Sequence, residues 1–311
     1  MPRFSIIVPC YNADASLLQT IASVQAQTFR DWELLCMDDG STDQTPRLIS
    51  AASSSDSRIR AYRQANAGPA AARNRAVELA TGEIIAFLDA DDLWVPQKLA
   101  ALDRRFRQLD APDAVFSRVG FFKSDPYRPG TVSTVSNKPL KMLDLVGENP
   151  VCTMSNIALT TAAWRRSGGI DPDIVHAEDL EWLIRLVGSG ARVIGMQDVL
   201  TLYRANENGL SANLSAMHRG WARAVRTATA IDPAIGRKEV ATGEAVHLRY
   251  LARRALRTGQ PPLTAISFAL RGVKSSPRGF FSPPRRGLAV LGAALLAPIL
   301  PAPVRRFGFQ E

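Results

Sequence analysis

The chain has 311 residues, 46% of them hydrophobic and 22% charged, with 38 Lys and Arg against 29 Asp and Glu for a net charge of +9. That length and ordinary globular composition suit one large α/β domain with an appendage. Cys10, Cys36 and Cys152 are few, odd in number and widely spaced, which suits reduced thiols better than a disulfide framework, and none has metal-ligand spacing.

Short apolar runs alternate with helical patterns over the first 120 residues. Phe4 to Val8 reads as a buried strand, and Asp14 starts a helix with Leu17, Leu18, Ile21 and Val24 on one face. Trp32 to Met37 is a second strand, ending in the turn-forming cluster Asp38-Asp39-Gly40-Ser41-Thr42-Asp43 before a helix from about Gln44 to Ala52. A weaker strand, Ile59 to Arg63, precedes an Ala-rich helix running to Ala80, with Gly82 at the expected C-cap position. Ile84 to Leu88 is the fourth strand, and Pro96 opens the next helix. Strands alternating with helices imply a parallel sheet covered on both faces, with function at the strand C-termini.

Residues 121 to 150 are rich in Pro, Lys and Ser and read as a loop region. Asn156 to Leu159 then reads as a strand, Thr161 to Gly168 as a short helix, and Ala177 to Trp182 as the opening of a helix with Leu183, Leu186 and Val187 inward. Residues 192 to 203 resemble a final strand or pair of strands. Beyond Ser211 the pattern is helical, with amphipathic segments near 215 to 230, 240 to 258 and 262 to 274. The expected organisation is a catalytic domain over 1 to 211, a helical region over 212 to 280, and a basic, apolar tail over 281 to 311.

Charge divides sharply along the chain. Residues 1 to 214 carry about −3, whereas residues 215 to 311, with 16 basic and 4 acidic side chains, carry about +12. The tail holds an apolar stretch, Gly287 to Val304, broken by Pro298, Pro301 and Pro303 and flanked by arginines. At some 18 residues it is at the lower limit for a spanning helix of about 20, so an interfacial segment fits better than a span; a buried helix packed on the main domain is the competing expectation. Nucleic acid is not expected as a partner, because the tail lacks an interleaved aromatic platform. The N-terminus has neither the charged start nor the cleavage site of a signal peptide, so a cytoplasmic location is expected.

The chemistry concentrates at strand ends. Strand one ends in Pro9-Cys10-Tyr11-Asn12, strand two in Asp38-Asp39, and strand four in Asp89-Ala90-Asp91-Asp92. Three acids within four positions are costly without a cation, and a hard divalent ion takes one or two carboxylates with phosphates and water completing its shell. The competing reading makes Asp91 or Asp92 the N-cap of the helix after Val95-Pro96. Similarly, Glu178-Asp179-Leu180-Glu181 can be a helix N-terminus enriched in acids by the dipole.

Ser5 to Asn12, Asp38 to Asp43, Gly68 to Asn74, Gly82 to Asp92 and Glu178-Asp179 occur in the order seen in family 2 inverting glycosyltransferases, which the chain resembles over roughly residues 3 to 211. The resemblance implies the GT-A fold, a mostly parallel sheet flanked by helices, and a nucleotide-sugar donor. It implies Tyr11 against the base with Pro9 beside it, Asp39 accepting the imide N–H of a pyrimidine, Asp91 as direct ligand of Mg²⁺ or Mn²⁺, and Asp89 toward ribose or a metal-bound water. Arg73 would assist at the donor; a solvated helix arginine is its alternative. Asp179 would be the general base that removes the acceptor hydroxyl's proton. A UDP-sugar donor and a glycan or lipid-linked acceptor in surface polysaccharide synthesis, at the cytoplasmic face of a bacterial inner membrane, follow as expectations, with peripheral membrane contact through the tail. Asn206 stands where many relatives have His, which weakens a metal or phosphate role for that segment. Two other classes compete: a sugar-phosphate nucleotidyltransferase, disfavoured because no Gly-rich basic loop follows strand one, and an inactive membrane-associated scaffold, disfavoured by the intact acids.

Overall fold

The computed structural model describes residues 1–205 and 213–299. In chain order its elements are β1 (Phe4–Cys10), α1 (Leu17–Gln25), β2 (Trp32–Asp39), α2 (Thr45–Ser55), β3 (Ile59–Gln64), α3 (Gly68–Leu79), β4 (Ile84–Phe87), β5 (Leu93–Trp94), α4 (Lys98–Phe106), β6 (Ala114–Phe122) and β7 (Thr131–Val132). There follow α5 (Met142–Gly147), a 3₁₀ turn (Met154–Asn156), β8 (Ala158–Thr160), α6 (Thr161–Ser167), α7 (Glu178–Gly188), β9 (Val193–Arg204), α8 (Leu214–Ile231), α9 (Arg237–Arg257), α10 (Pro262–Ser275), α11 (Pro277–Phe280) and α12 (Pro284–Leu296). They form two units. One takes Met1–Leu140 and Pro150–Ala205; the other takes Lys141–Asn149 and the described part of Asn206–Glu311.

The first unit is a nine-stranded sheet in the order β3-β2-β1-β4-β8-β6-β9-β5, with β7 paired to β6. β3, β2, β1 and β4 run parallel, because each is joined to the next through a helix. β8 then enters antiparallel to both β4 and β6, while β6 and β9 are parallel. Phe4, Ile6, Val8 and Cys10 of β1 share a core with Leu17, Ile21 and Val24 of α1 and Leu99, Leu102 and Phe106 of α4. α3 packs on β1 and β2 outside that cluster through Ala70, Ala72, Ala76 and Val77. Side chains buried on both sides make β1 and β2 read as continuous apolar runs.

Several expectations are corrected. Leu18 is 54% exposed, so the inward stripe of α1 is Leu17, Thr20, Ile21 and Val24. Gly82 does not cap α3, whose C-cap is Ala80 in an extended conformation. Gly82 is small because a Cβ there would lie 2.7 Å from the backbone nitrogen and Oγ of Ser5. The helix expected from Pro96 begins at Lys98 behind a Gln97 N-cap, so neither Asp91 nor Asp92 is its cap. The region 121 to 150 is not all loop: it contains the end of β6, β7 and α5.

The second unit is helical. α9 packs against α5, α8, α10, α11 and α12, and its Leu248, Leu251, Ala252 and Ala255 meet Ala265, Phe268 and Ala269 of α10 and Val290 and Ala294 of α12. A Cβ at Gly243 would lie 2.5 Å from the Val146 side chain, so this glycine is what lets α5 approach α9. Arg249 donates to the carbonyls of Phe280 at 2.7 Å and Ser282 at 2.6 Å, fixing the turn between α11 and α12. No described helix is long and apolar enough to cross a membrane.

Candidate active site

The turn that follows β4 is held by its backbone and by the carboxylate of Asp92. The Ala90 carbonyl accepts from Ser16 Oγ (2.9 Å) and Thr20 Oγ1 (3.0 Å), and the Asp92 carbonyl accepts from Thr20 Oγ1 (2.9 Å). Arg204 Nε donates to the Asp91 carbonyl (2.9 Å), while Ser155 Oγ accepts from the Asp89 backbone N–H (2.9 Å). Asp92 points inward: it is fully buried and accepts from Ser155 Oγ (2.5 Å) and the Arg204 N–H (2.9 Å). Beneath them the buried Lys98 ammonium donates to Thr201 Oγ1 (2.6 Å) and the Ser155 carbonyl (3.2 Å). Burial pulls Lys98 down to about 7, against the pull of Asp92.

Asp91 makes no side-chain hydrogen bond to another described residue. Burial first, and then the charge of Asp89, push it up from 3.8 to about 6. An ion would lower that cost, because a cation favours the ionised carboxylate. No group of three His, Cys, Asp or Glu among the described residues is arranged to hold a metal unaided. Asp91 could therefore hold a divalent ion only where ligands from outside the chain, such as a phosphate and water, complete its shell.

Arg73 joins this turn to a second acidic group. It lies in α3 but is 5% exposed, so the solvated-helix reading is wrong. Its Nη2 donates to Asp89 Oδ1 at 2.6 Å, and its Nη1 reaches Glu178 Oε1 at 3.4 Å. Glu178 and Asp179 begin α7 just after Ala177, a non-glycine residue at φ 59°. That left-handed backbone is strained for a residue with a Cβ and aims the first turn of the helix. The charge of Asp179 bears on Glu178. Burial and then Asp179 push Glu178 up to about 7, with Arg73 opposing; burial also raises Asp179, which keeps the Leu180 N–H (2.8 Å) as a stabilising donor.

The ends of β1 and β2 form a third part. Tyr11 is 54% exposed just beyond β1. Asn12 stands at φ 46° and accepts from the Thr42 N–H (2.9 Å), while its own N–H donates to Ser41 Oγ (3.0 Å). Asp38 is buried, accepting from the Ser41 N–H and pairing with Arg63 at 3.1 Å. Asp39 is buried too. Its Oδ1 accepts from Gln64 Nε2 (2.8 Å) and the Ala67 N–H (2.9 Å), and its Oδ2 from the Gly68 N–H (2.8 Å). It thus organises the entry to α3, and only Oδ2 has acceptor capacity left. Pro9 lies in β1 opposite Met37 of β2.

Asp89, Asp91, Arg73 and Asp179 are therefore brought into one connected site. Glu178, named in the sequence only as the motif neighbour of Asp179, belongs to it as well, and so do Ser155, Thr153 and Lys98, which the sequence did not single out. Thr153 Oγ1 reaches Asp89 Oδ2 at 3.4 Å. An unpaired lysine at the start of an amphipathic helix was the one available signal for Lys98; nothing local marked Ser155. Asn206 lies outside the described residues.

The glycosyl transferase family 2 model matches residues 5–163. TuaG of Bacillus subtilis (strain 168), a glycosyltransferase named for teichuronic acid biosynthesis, is 31% identical over 216 residues, covering 68% of this chain and 82% of that protein. WfaP of Escherichia coli, a UDP-Glc:α-D-GlcNAc-diphosphoundecaprenol β-1,3-glucosyltransferase, is 28% identical over 216 residues, covering 68% and 81%. Among solved structures, residues 1–349 of S. aureus TarS in complex with UDP-GlcNAc superpose with a TM-score of 0.61 at 18% identity, covering 99% of this chain and 89% of that one. The last likeness establishes the fold, and the first two the lineage.

Proposed function

The chain belongs to glycosyl transferase family 2, and from that premise we propose that it moves a sugar, with inversion, from a UDP-sugar to a hydroxyl of a lipid-linked saccharide. The observation that carries this reading is Arg73, which ties Asp89 of the acid turn to Glu178 beside Asp179 although the three are far apart in sequence. A leaving-group end and a base end joined by one buried cation suit displacement with charge moving from acceptor to diphosphate.

Each residue then has a part that its chemistry supports. Tyr11 offers an exposed ring to the uracil, Pro9 lines the strand end beside it, and the free acceptor capacity of Asp39 Oδ2 suits the imide N–H. Asp89, steadied by Arg73, faces ribose or a metal-bound water. Asp91 would hold Mg²⁺ or Mn²⁺, which when bound neutralises charge on the departing diphosphate. Asp179 takes the proton of the acceptor hydroxyl, its raised pKa making it a better base than a solvent carboxylate. Attack from the face opposite the diphosphate gives inversion. Catalysis is assigned to residues 1 to 211, the helical region 212 to 280 and the tail 281 to 311 having other duties.

WfaP is named for a diphosphoundecaprenol acceptor, and a polyprenyl acceptor would place the work at the cytoplasmic face of a bacterial inner membrane. The test is a panel of nucleotide sugars incubated with a short-chain polyprenyl-diphosphate saccharide, with and without EDTA. Glycosylated lipid from a UDP-sugar, lost on chelation, is the expected result. Pyrophosphate release from a nucleoside triphosphate and a sugar phosphate would support the nucleotidyltransferase instead.

A further inference from the structure

From Ala245 to Gln310 the sequence holds eleven arginines and lysines and not one acid. Within that span α12 is apolar all round from Gly287 to its end at Leu296. Val290, Ala294 and Ala297 bury one face in the helical unit, yet Leu288, Leu295, Leu296 and Ile299 stand 50% to 77% exposed on the other, with Ala289 between them. Positions 288, 295 and 299 recur at helical spacing along one line. Arg285 and Arg286 are exposed in the first turn of α12, and Arg278 is exposed in α11, which precedes it.

We propose that the outward face of α12 is a docking surface for an anionic lipid bilayer, on which the helix lies flat with its arginines at the headgroups. The proposal deepens the reading of the tail as a membrane contact and does not depend on the chemistry of the acid turn. Charge and geometry select this occupant. Thirteen residues span about 20 Å, short of the roughly 30 Å hydrocarbon core, so the helix lies on the membrane and does not cross it. A leucine face rimmed by arginines matches acyl chains below phosphate headgroups. A polyanion such as RNA would satisfy the arginines and leave the leucines in water, because the face carries no aromatic ring for a base to stack on.

The test is co-sedimentation of the full chain with vesicles of phosphatidylcholine, pure or doped with phosphatidylglycerol. Wild type is expected to pellet with the doped vesicles and to be released by salt. Replacing both exposed leucines, Leu288→Glu with Leu295→Glu, lowers the partition coefficient more than tenfold. Arg285→Ala and Arg286→Ala each lower it about fivefold on anionic vesicles only. These positions are at the surface, so unchanged circular dichroism and melting temperature confirm that the variants fold. Wild type that ignores doped vesicles, or a double leucine variant that binds as well as wild type, overturns the proposal. A dimer formed without lipid and abolished by Leu288→Glu would give the face to a second copy and overturn it too. So would tight binding to an RNA homopolymer combined with none to vesicles.

Discussion

Removing the charge of Asp91 should make the metal-free protein more stable while disabling it. Burial and the neighbouring Asp89 push Asp91 from 3.8 to about 6, and each unit corresponds to 1.36 kcal/mol, so ionised Asp91 costs the fold at most about 3 kcal/mol. The side chain is partly solvated, which leaves about 1 to 3 kcal/mol. The sign follows from linkage. Between about pH 4 and about pH 6 the native state binds more protons at this group than the unfolded chain does, so its contribution falls as pH rises and stays low above. Asp91→Asn should therefore be more stable than wild type by about 1 to 3 kcal/mol near pH 7 in EDTA, and equal to it near pH 4. Urea denaturation at both pH values measures this. Adding Mn²⁺ and UDP should then raise the melting temperature of wild type and leave that of the variant unchanged. A variant no more stable than wild type near pH 7, or equally favoured at both pH values, refutes the reasoning.

Arg73→Met strands Asp89 and Glu178 without their shared cation, and a loss of about 3 to 5 kcal/mol is expected in chemical denaturation. Burial and then Asp179 hold Glu178 up, so the two acids titrate together, and Glu178→Gln should move the acid limb of kcat/KM to lower pH. Lys98 falls from 10.5 to about 7 on burial, so the unfolded chain binds the extra proton between those values and wild-type stability should rise with pH there by up to about 1.4 kcal/mol per unit. Lys98→Met should flatten that rise, as read from urea midpoints across the range.

How much was legible in the sequence depended on local pattern. The strands β1, β2 and β4 are apolar runs that stop abruptly at polar residues, so their positions and the polar clusters at their ends could be read. α7 announced itself through Glu178 and Asp179 before a buried stripe. β6 was missed because its apolar residues alternate with Ser117, Arg118 and Gly120 without a turn signal, and α5 because six residues carry no helical period. The connections within the site were not legible at all. Arg73 meets Glu178 across 105 positions, Lys98 meets Thr201 across 103, and Ser155 reaches Asp92 across 63. Such pairs exist only once the fold brings α3 to α7, α4 to β9 and the 3₁₀ turn to the residues after β4, and no single segment records them. The same holds for Arg73 itself, whose helix looks solvated in sequence yet packs its guanidinium inward. Leu18 failed in the opposite direction, an apolar residue at a helical position that faces water.

The most direct test of transfer by this site is single-turnover sugar transfer by Asp179→Asn beside UDP-sugar binding by the same variant. If Asp179 takes the acceptor's proton, turnover falls by about 10² to 10⁴ while donor affinity stays within a few-fold of wild type. Transfer at the wild-type rate, with donor binding intact, would contradict the assignment.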